Sequence, residues 1–511
     1  MKLNITSYDK VCGKRSFPWV MAALSLVIVL MYSRTTSPLF GIEAADSAMF
    51  KTMGRVLTDG GVPYVDYFDH KGPYLYLINA VGEWLSPVWG LFAMPVVWNS
   101  LTLSLWFMTA RLFARPSYAF AITLSAIIGY IGVYCGGNLS EEWSLLPASL
   151  TCFLALSYLL ESHDTPLPHP VWQSLVYGLC FGFMFLVRPN AAVMVCGGAM
   201  TGIFLFLVFR RRAYANAALN ALAFAVGAAI AAAPWIIYFA QRDALADFWF
   251  GLIGFNMGYG GGVFANLLNI WPMLQIIILA SIAIALTFEA KRRGTRWLIV
   301  PVAILTLMLY GRNGYLHYYI TLIPCLLLPA LALLFCQPNR NVTFGLVIPL
   351  LVSDYCIEGV AQALKIPYQV VTGTFSRELQ EIKEYEDVRE LFAVIPEAER
   401  DSVWNCGDRF SALFLQCGIR AQNPVPPVIA EQSEFMMQVY VAERRASLGK
   451  ETARLPRALV RTRISEVRPK WLFTEPVMKF TNAEDSVFVA RNYEYARQSR
   501  KFHYMLLKRK E

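Results

Sequence analysis

The sequence predicts a polytopic α-helical membrane protein of about eleven transmembrane helices, followed by an extracytoplasmic α/β domain. Three observations predict it. Of 511 residues, 56% are hydrophobic and only 16% charged, with a mean hydropathy of +0.44; a soluble chain carries about a quarter charged residues. The charges are unevenly divided, with 21 Lys+Arg and 16 Asp+Glu in residues 1–360 and 24 and 20 in residues 361–511. The apolar residues, finally, gather into runs of bilayer-spanning length. This composition excludes disorder and, for most of the chain, a soluble enzyme. It sets a membrane body, 1–360, against a polar domain, 361–511.

A spanning helix needs about 20 mostly apolar residues. Such stretches fall near 18–33, 91–110, 117–135, 144–160, 172–187, 190–209, 216–240, 268–288, 297–311, 318–336 and 342–360. The first follows Lys10, Lys14 and Arg15 and lacks a small-residue cleavage site, so it reads as a retained helix rather than a signal peptide. With the N-terminus inside, cytoplasmic segments carry fourteen Lys and Arg, including Arg210–Arg212 and Lys291–Arg293, against seven outside. That bias places the N-terminus in the cytoplasm and, after eleven spans, the C-terminal domain on the periplasmic or extracellular side of a plasma (inner) membrane. Ten of the body's sixteen carboxylates fall on the outer side. The net charge of +9 is therefore a topology signal that implies no nucleic-acid partner.

Residues 34–90 read as one long outer loop, and a loop of that length is usually functional. Its segment Pro73–Pro87 is apolar but too short to span, and Tyr74, Tyr76 and Trp84 suit a helix lying along the bilayer surface. Asp46 sits near the start of an expected helix, where Asp is also a good N-cap. The run Asp69-His70-Lys71-Gly72-Pro73 puts a carboxylate, an imidazole and an ammonium together. Lys71 can bind a lipid phosphate as a point charge or simply snorkel to headgroups.

Taken together, Asp46-x-x-x-Phe50 and Gly60-Gly61-x-Pro63-Tyr64-x-Asp66-x-Phe68-Asp69-His70-Lys71-Gly72-Pro73-x-x-Tyr76 resemble the first loop of the GT-C glycosyltransferases. These polytopic, polyprenyl-phosphate-sugar-dependent enzymes include the protein O-mannosyltransferases and the aminoarabinose transferase of lipid A, in families 39 and 83. Gly136–Trp143, Leu186–Asn190 and Gly311–Tyr319 are similar to further segments of that group, so the resemblance covers roughly residues 15–360. It implies a GT-C-like fold and a first-loop acid, matched by Asp46, that activates or binds the acceptor beside the donor. It also implies a lysine, matched by Lys71, that contacts the donor phosphate. Where some members carry Glu-Lys-Pro-Pro, this chain has His70-Lys71-Gly72-Pro73, so contacts of that glutamate do not transfer. The resemblance favours inversion at the anomeric carbon.

A polyprenyl-phosphate sugar keeps its tail in the bilayer, so the reacting carbon sits at headgroup level. Transfer needs a base near the acceptor hydroxyl and cations near the departing phosphate. Asp46 is the candidate base. Lys71, His70, Arg188 and Arg312 are candidate phosphate ligands, since ionisable groups beside membrane spans are expensive to bury. Arg188 precedes Pro189 and could equally cap a broken helix; Arg312 could be an ordinary loop charge. Asp66, Asp69, Glu141, Glu142, His317 and Tyr318 are candidates for binding an acceptor sugar or a metal, against a solvated turn and an aromatic belt as the plain alternatives. Five histidines without a helical ligand pair argue against zinc. No cofactor is certain, although magnesium or calcium held by carboxylates and phosphate fits the residue types. Gly258-Tyr259-Gly260-Gly261-Gly262, read as flexible outer loop, is followed by no Lys-Ser or Lys-Thr, so it is not a nucleotide loop.

In the polar domain, Glu378–Phe392 and Phe410–Gln416 read as helices, Val403–Cys406 and Trp471–Glu475 as strands, and Tyr493–Lys510 as a final hairpin or edge strand. Cys406 and Cys417 are its only cysteine pair, and sequence leaves a bridge between them open. Arg444, Arg445, Arg454, Arg457, Arg461 and Arg463 form a basic stretch that faces either anionic headgroups or solvent. The expected function is transfer of one sugar from a polyprenyl-phosphate carrier to an envelope polysaccharide, lipid or protein, in contact with membrane lipids. The rivals are a transporter or flippase of lipid-linked sugars, which commonly shows paired internal repeats, and a non-catalytic envelope assembly protein.

Overall fold

The computed structural model describes residues 17–43, 45–162, 165–259, 270–285, 290–310, 315–336, 353–375, 380–406, 411–419, 421–422, 457, 464–474 and 483–510. The chain divides into two compact units. One comprises Met1–Ser37, Leu91–Ile236 and Gly260–Tyr368, and the other Pro38–Gly90, Ile237–Tyr259 and Gln369–Glu511. Residues Pro38–Gly90, most of the expected first loop, are thus grouped with the C-terminal region.

In the first unit, apolar length dictates helices, because only a helix satisfies its backbone polar groups within one segment in lipid. Six helices among the described residues are long and apolar enough to cross a membrane: Gly90–Arg111, Pro116–Val133, Ser140–Ser162, Pro189–Arg210, Tyr214–Ala240 and Leu316–Phe335. Phe17–Tyr32, Val171–Phe185, Ile270–Ala285 and Arg296–Leu309 are helices on four more of the expected stretches. The eleventh stretch lies mostly outside the described residues, and its end enters the helix Asp354–Thr372. Leu101, Leu222 and Ile230 are more than half exposed, as suits side chains that face lipid. Pro116 and Pro189 open helices at the first turn, where the missing N–H removes no bond. Pro95, Pro147 and Pro301 lie inside helices, as membrane bundles tolerate.

In the second unit, four strands form one sheet in the order β1-β2-β4-β3. They are β1 (Val403–Asn405), β2 (Trp471–Thr474), β3 (Tyr493–Gln498) and β4 (Met505–Arg509). β1 pairs parallel with β2, with Val403 opposite Trp471. β4 pairs antiparallel with both β2 and β3, and the β3 register shifts between Tyr495 and Arg497. Alternation along the strands builds two cores. Val403, Trp471, Phe473 and Leu506 meet Val388, Leu391 and Phe392 of the helix Gln380–Phe392 and Leu413 and Phe414 of the helix Ser411–Gln416. The intervening Trp404, Leu472 and Leu507 meet Ile464 of the helix Ile464–Val467 and Val489 of the helix Ala483–Asn492. β1 and β2 are buried throughout, whereas only Tyr493 is buried in β3, the edge strand.

Cys406 lies in the second core and Cys417 packs against the first, and both thiols are free. Burial pushes the Cys406 thiol up to about 12 and the Cys417 thiol up to about 11. Of the six basic-stretch arginines only Arg457 is described. It is partly exposed, and its backbone N–H and Nε donate to the Asp247 carboxylate at 2.7 Å and 3.0 Å.

The hairpin is tied to the helix Gln380–Phe392 through Asp387. Its carboxylate accepts the backbone N–H groups of Arg500, Lys501 and Phe502 at 2.8–3.1 Å. Burial alone would raise this carboxyl, but the Ser499 hydroxyl and those three N–H groups outweigh it and hold it below its ordinary value. A depressed carboxyl stabilises the fold above its unfolded value, roughly 3.9, and that contribution is lost as pH falls through the lower folded value. Hydrogen exchange corrected for intrinsic rates should therefore show Arg500–Phe502 keeping protection down to about pH 4 and losing it as pH falls further, through the lowered folded value. Unchanged protection would mean that Asp387 does not hold the turn.

Candidate functional site

The second unit presents the first-loop residues on a tightly held turn. Asp46 lies in the first turn of the helix Ala45–Thr58 and is exposed, where a carboxylate also meets the positive end of the helix dipole. Asp66, exposed, accepts the Val62 N–H at 2.7 Å and closes the turn between them. Tyr64 carries φ +68, a left-handed backbone costly for a bulky residue. The outcome is a fully buried ring set among Tyr76, Phe239 and Phe248 at 5.6–5.9 Å between centroids. A Cβ on Gly251 would collide with that ring.

Past this anchor the chain reaches Asp69, His70 and Lys71. Asp69 is buried, its Oδ2 3.0 Å from the Tyr76 hydroxyl. Its Oδ1 lies 3.4 Å from His70 Nδ1, and Lys71 Nζ lies 3.0 Å from His70 Nε2. Tyr64 and Tyr76 hydroxyls both reach the Lys71 carbonyl, at 2.6 Å and 2.7 Å, and Asn256 Nδ2 donates to the His70 carbonyl at 2.7 Å. Burial raises the Asp69 carboxyl above its ordinary value, against the pull of Lys71, the His70 N–H and the Tyr76 hydroxyl; Asp46 adds a smaller push upward. Gly72 then caps the helix Pro73–Leu85 with Pro73 in its first turn. Trp84 and Leu85 are exposed as an interfacial helix requires, but Tyr76 is turned fully inward.

The body unit holds a second constellation. Cys135, Gly136, Gly137 and Asn138 all adopt positive φ in a turn leading into the helix Ser140–Glu161. Glu142 holds that turn. Its Oε1 accepts the Tyr134 hydroxyl at 2.7 Å and Asn99 Nδ2 at 3.0 Å, and its Oε2 accepts the Asn138 N–H at 2.8 Å. Glu141 instead forms an ion pair with Arg188, and both side chains are at most 5% exposed. Arg188 sits extended between two helices, as a residue before proline must. Its Nε donates to Asn190 Oδ1 at 3.0 Å, and its guanidinium lies 3.8 Å from the Tyr318 ring centroid. His317 Nε2 is 3.9 Å from Glu141 Oε1, and its ring stacks on Tyr315 at 5.5 Å.

The structure thus brings together Asp69, His70 and Lys71 in one unit, and Glu141, Arg188, His317 and Tyr318 in the other. Arg312 lies outside the described residues, and the glycine run is divided: Gly258 and Tyr259 end the helix Phe255–Tyr259, whereas Gly260–Gly262 lie outside them. Glu141 and Glu142 do not fit a shared cation, since Glu142 has both oxygens occupied and Glu141 faces Arg188. No group of three or more His, Cys, Asp or Glu side chains suited to a metal occurs among the described residues. Sequence reasoning missed Tyr64, Tyr76 and Asn256 as supports, although the tyrosines lie inside the motif itself.

No protein-family model matches the chain, and no curated protein matches it by sequence. Solved structures do. ArnT from Cupriavidus metallidurans bound to undecaprenyl phosphate superposes with a TM-score of 0.58 at 12% identity, covering 97% of this chain and 98% of that one. The apo state of the same protein gives 0.56 at 12% identity over the same shares. The archaeal oligosaccharyltransferase AglB from Archaeoglobus fulgidus, in complex with an inhibitory peptide and a dolichol-phosphate, gives 0.45 at 13% identity over 90% and 69%. The chain has the ArnT-like GT-C fold and is a multi-pass membrane protein.

Replacing Glu142 tests the turn. Glu142→Ala strands a hydroxyl, an amide and a backbone N–H, at a cost of about 3–5 kcal/mol. Glu142→Gln keeps most acceptors and should cost less. Thermal unfolding of both variants in detergent measures this; an alanine variant as stable as the parent excludes the role.

Proposed function

We propose that this protein is an integral-membrane glycosyltransferase. It moves a sugar from a polyprenyl-phosphate donor to a cell-envelope polysaccharide, lipid or protein on the outer face of a plasma (inner) membrane. The observation that carries the reading is the Lys71 ammonium, 3.0 Å from His70 Nε2 on a turn fixed by Tyr64 and Tyr76. It occurs in a fold shared with an ArnT structure bound to undecaprenyl phosphate. On this reading the N-terminus is cytoplasmic and the α/β domain lies outside.

The division of labour follows from burial. Asp46 is exposed and stands in the first turn of its helix, which leaves its carboxylate accessible to an acceptor hydroxyl as general base. Lys71 stabilises the phosphate as the glycosidic bond to it breaks. Arg188, in the other unit, is a separate candidate phosphate ligand, and it could serve only by sharing its guanidinium with Glu141, which already faces it. His317 and Tyr318 flank that pair and suit contacts with the acceptor. No step is routed through a metal.

Asp46→Asn keeps the shape and removes the base. Transfer from a radiolabelled polyprenyl-phosphate sugar by purified protein in liposomes should fall by about 10²–10⁴-fold, with unchanged thermal unfolding. A rate near that of the parent would remove Asp46 from the role. Lys71→Ala should weaken donor binding about tenfold, the scale of one charged hydrogen bond, with little loss of stability; unchanged donor affinity counts against the clamp.

A further inference from the structure

Asp69, His70 and Lys71 are consecutive, yet their side chains make a second connection of their own. An ammonium only donates, so His70 Nε2, 3.0 Å from Lys71 Nζ, must accept. The imidazole proton then sits on Nδ1, on the side of Asp69 Oδ1 at 3.4 Å. The imidazole stacks on Phe255 at 5.1 Å, and Asn256 grips its carbonyl. Asp69 is fixed in turn by the Tyr76 hydroxyl.

We propose that Asp69 and His70 are positioning residues that direct the Lys71 ammonium and couple donor-phosphate binding to the protonation of His70. This rests on the reading of Lys71 as a phosphate contact. When His70 takes a second proton, Nε2 ceases to accept, and Lys71 loses that acceptor and gains a cationic neighbour. Asp69 sets the pH of that event, because a carboxylate on the Nδ1 side favours imidazolium. The titratable groups that face the relay include Asp46, which acts on Asp69, and the hydroxyls of Tyr76 and Tyr64. The helix Phe255–Tyr259 contributes the Phe255 ring and the Asn256 amide, neither of which titrates.

The test is equilibrium binding of undecaprenyl phosphate to the full chain in phosphatidylcholine nanodiscs from about pH 5 to about pH 8.5, the range across which histidine titrates. The ligand's own phosphate titrates near about 6 in every sample. The protein's share is therefore the difference from His70→Gln, whose side-chain oxygen still accepts from Lys71 but gains no proton. The parent should show a further pH-dependent step that His70→Gln lacks. Asp69→Asn should move its midpoint down by about one unit, since the carboxylate no longer favours imidazolium. Tyr76→Phe leaves Asp69 charged but removes a donor to it, and should move the midpoint up. If Asp69→Asn fails to fold by thermal unfolding, the direction seen with Tyr76→Phe decides. Lys71→Ala binding as tightly as the parent overturns the functional reading. Lys71→Ala weakened about tenfold, with Asp69→Asn and Tyr76→Phe superimposing on the parent, overturns the relay alone.

Discussion

A charge taken out of water costs several kcal/mol unless a partner replaces the lost hydration, and the described part of this chain is arranged around that constraint. Glu141 is answered by Arg188, Glu142 by a hydroxyl, an amide and a backbone N–H, Asp247 by Arg457, and Asp387 by three N–H groups. Arg188, Asn99, Arg457 and the Arg500–Phe502 turn lie far along the chain from the carboxylates they answer, so these satisfied charges also fix tertiary contacts. The apolar helices need no such specification. Their position along the chain follows from length and hydropathy, and the paired charges then fix the turns between them.

That difference explains what could be read from the sequence. Ten of the eleven apolar stretches fall on described helices because a span is a local property, set by about 20 residues and no distant partner. The α/β elements were legible for a similar reason. Val403-Trp404-Asn405 and Trp471–Thr474 are short β-prone runs, and Gly418 follows the helix Ser411–Gln416 with the φ of +66 that a C-terminal cap uses.

What was not legible is long-range. Asn256 reaches the His70 carbonyl across 186 residues, and Asn99 reaches Glu142 across 43; no local pattern marks either asparagine. Tyr76 suited an interfacial belt by composition, yet it is fully buried beneath Lys71. An aromatic on an amphipathic helix can serve either face, and only the register against Tyr64 decides. Glu141 and Glu142 were one motif in sequence and have separate tasks in space, because neighbours on a helix point about 100° apart.

The same constraint bears on how the first loop could work. A phosphate-binding lysine must be directed before its ligand arrives, or the ordering of its long side chain is subtracted from binding. Here the strained backbone at Tyr64, the close approach of Gly251 and the two hydroxyls on the Lys71 carbonyl hold the backbone beneath that side chain. His70 Nε2 adds direction as an acceptor for the ammonium. A carboxylate in that place would neutralise much of the charge the phosphate is meant to meet. An imidazole backed by a buried carboxylate orients the ammonium and leaves its charge nearly whole, at the cost of sensitivity to pH.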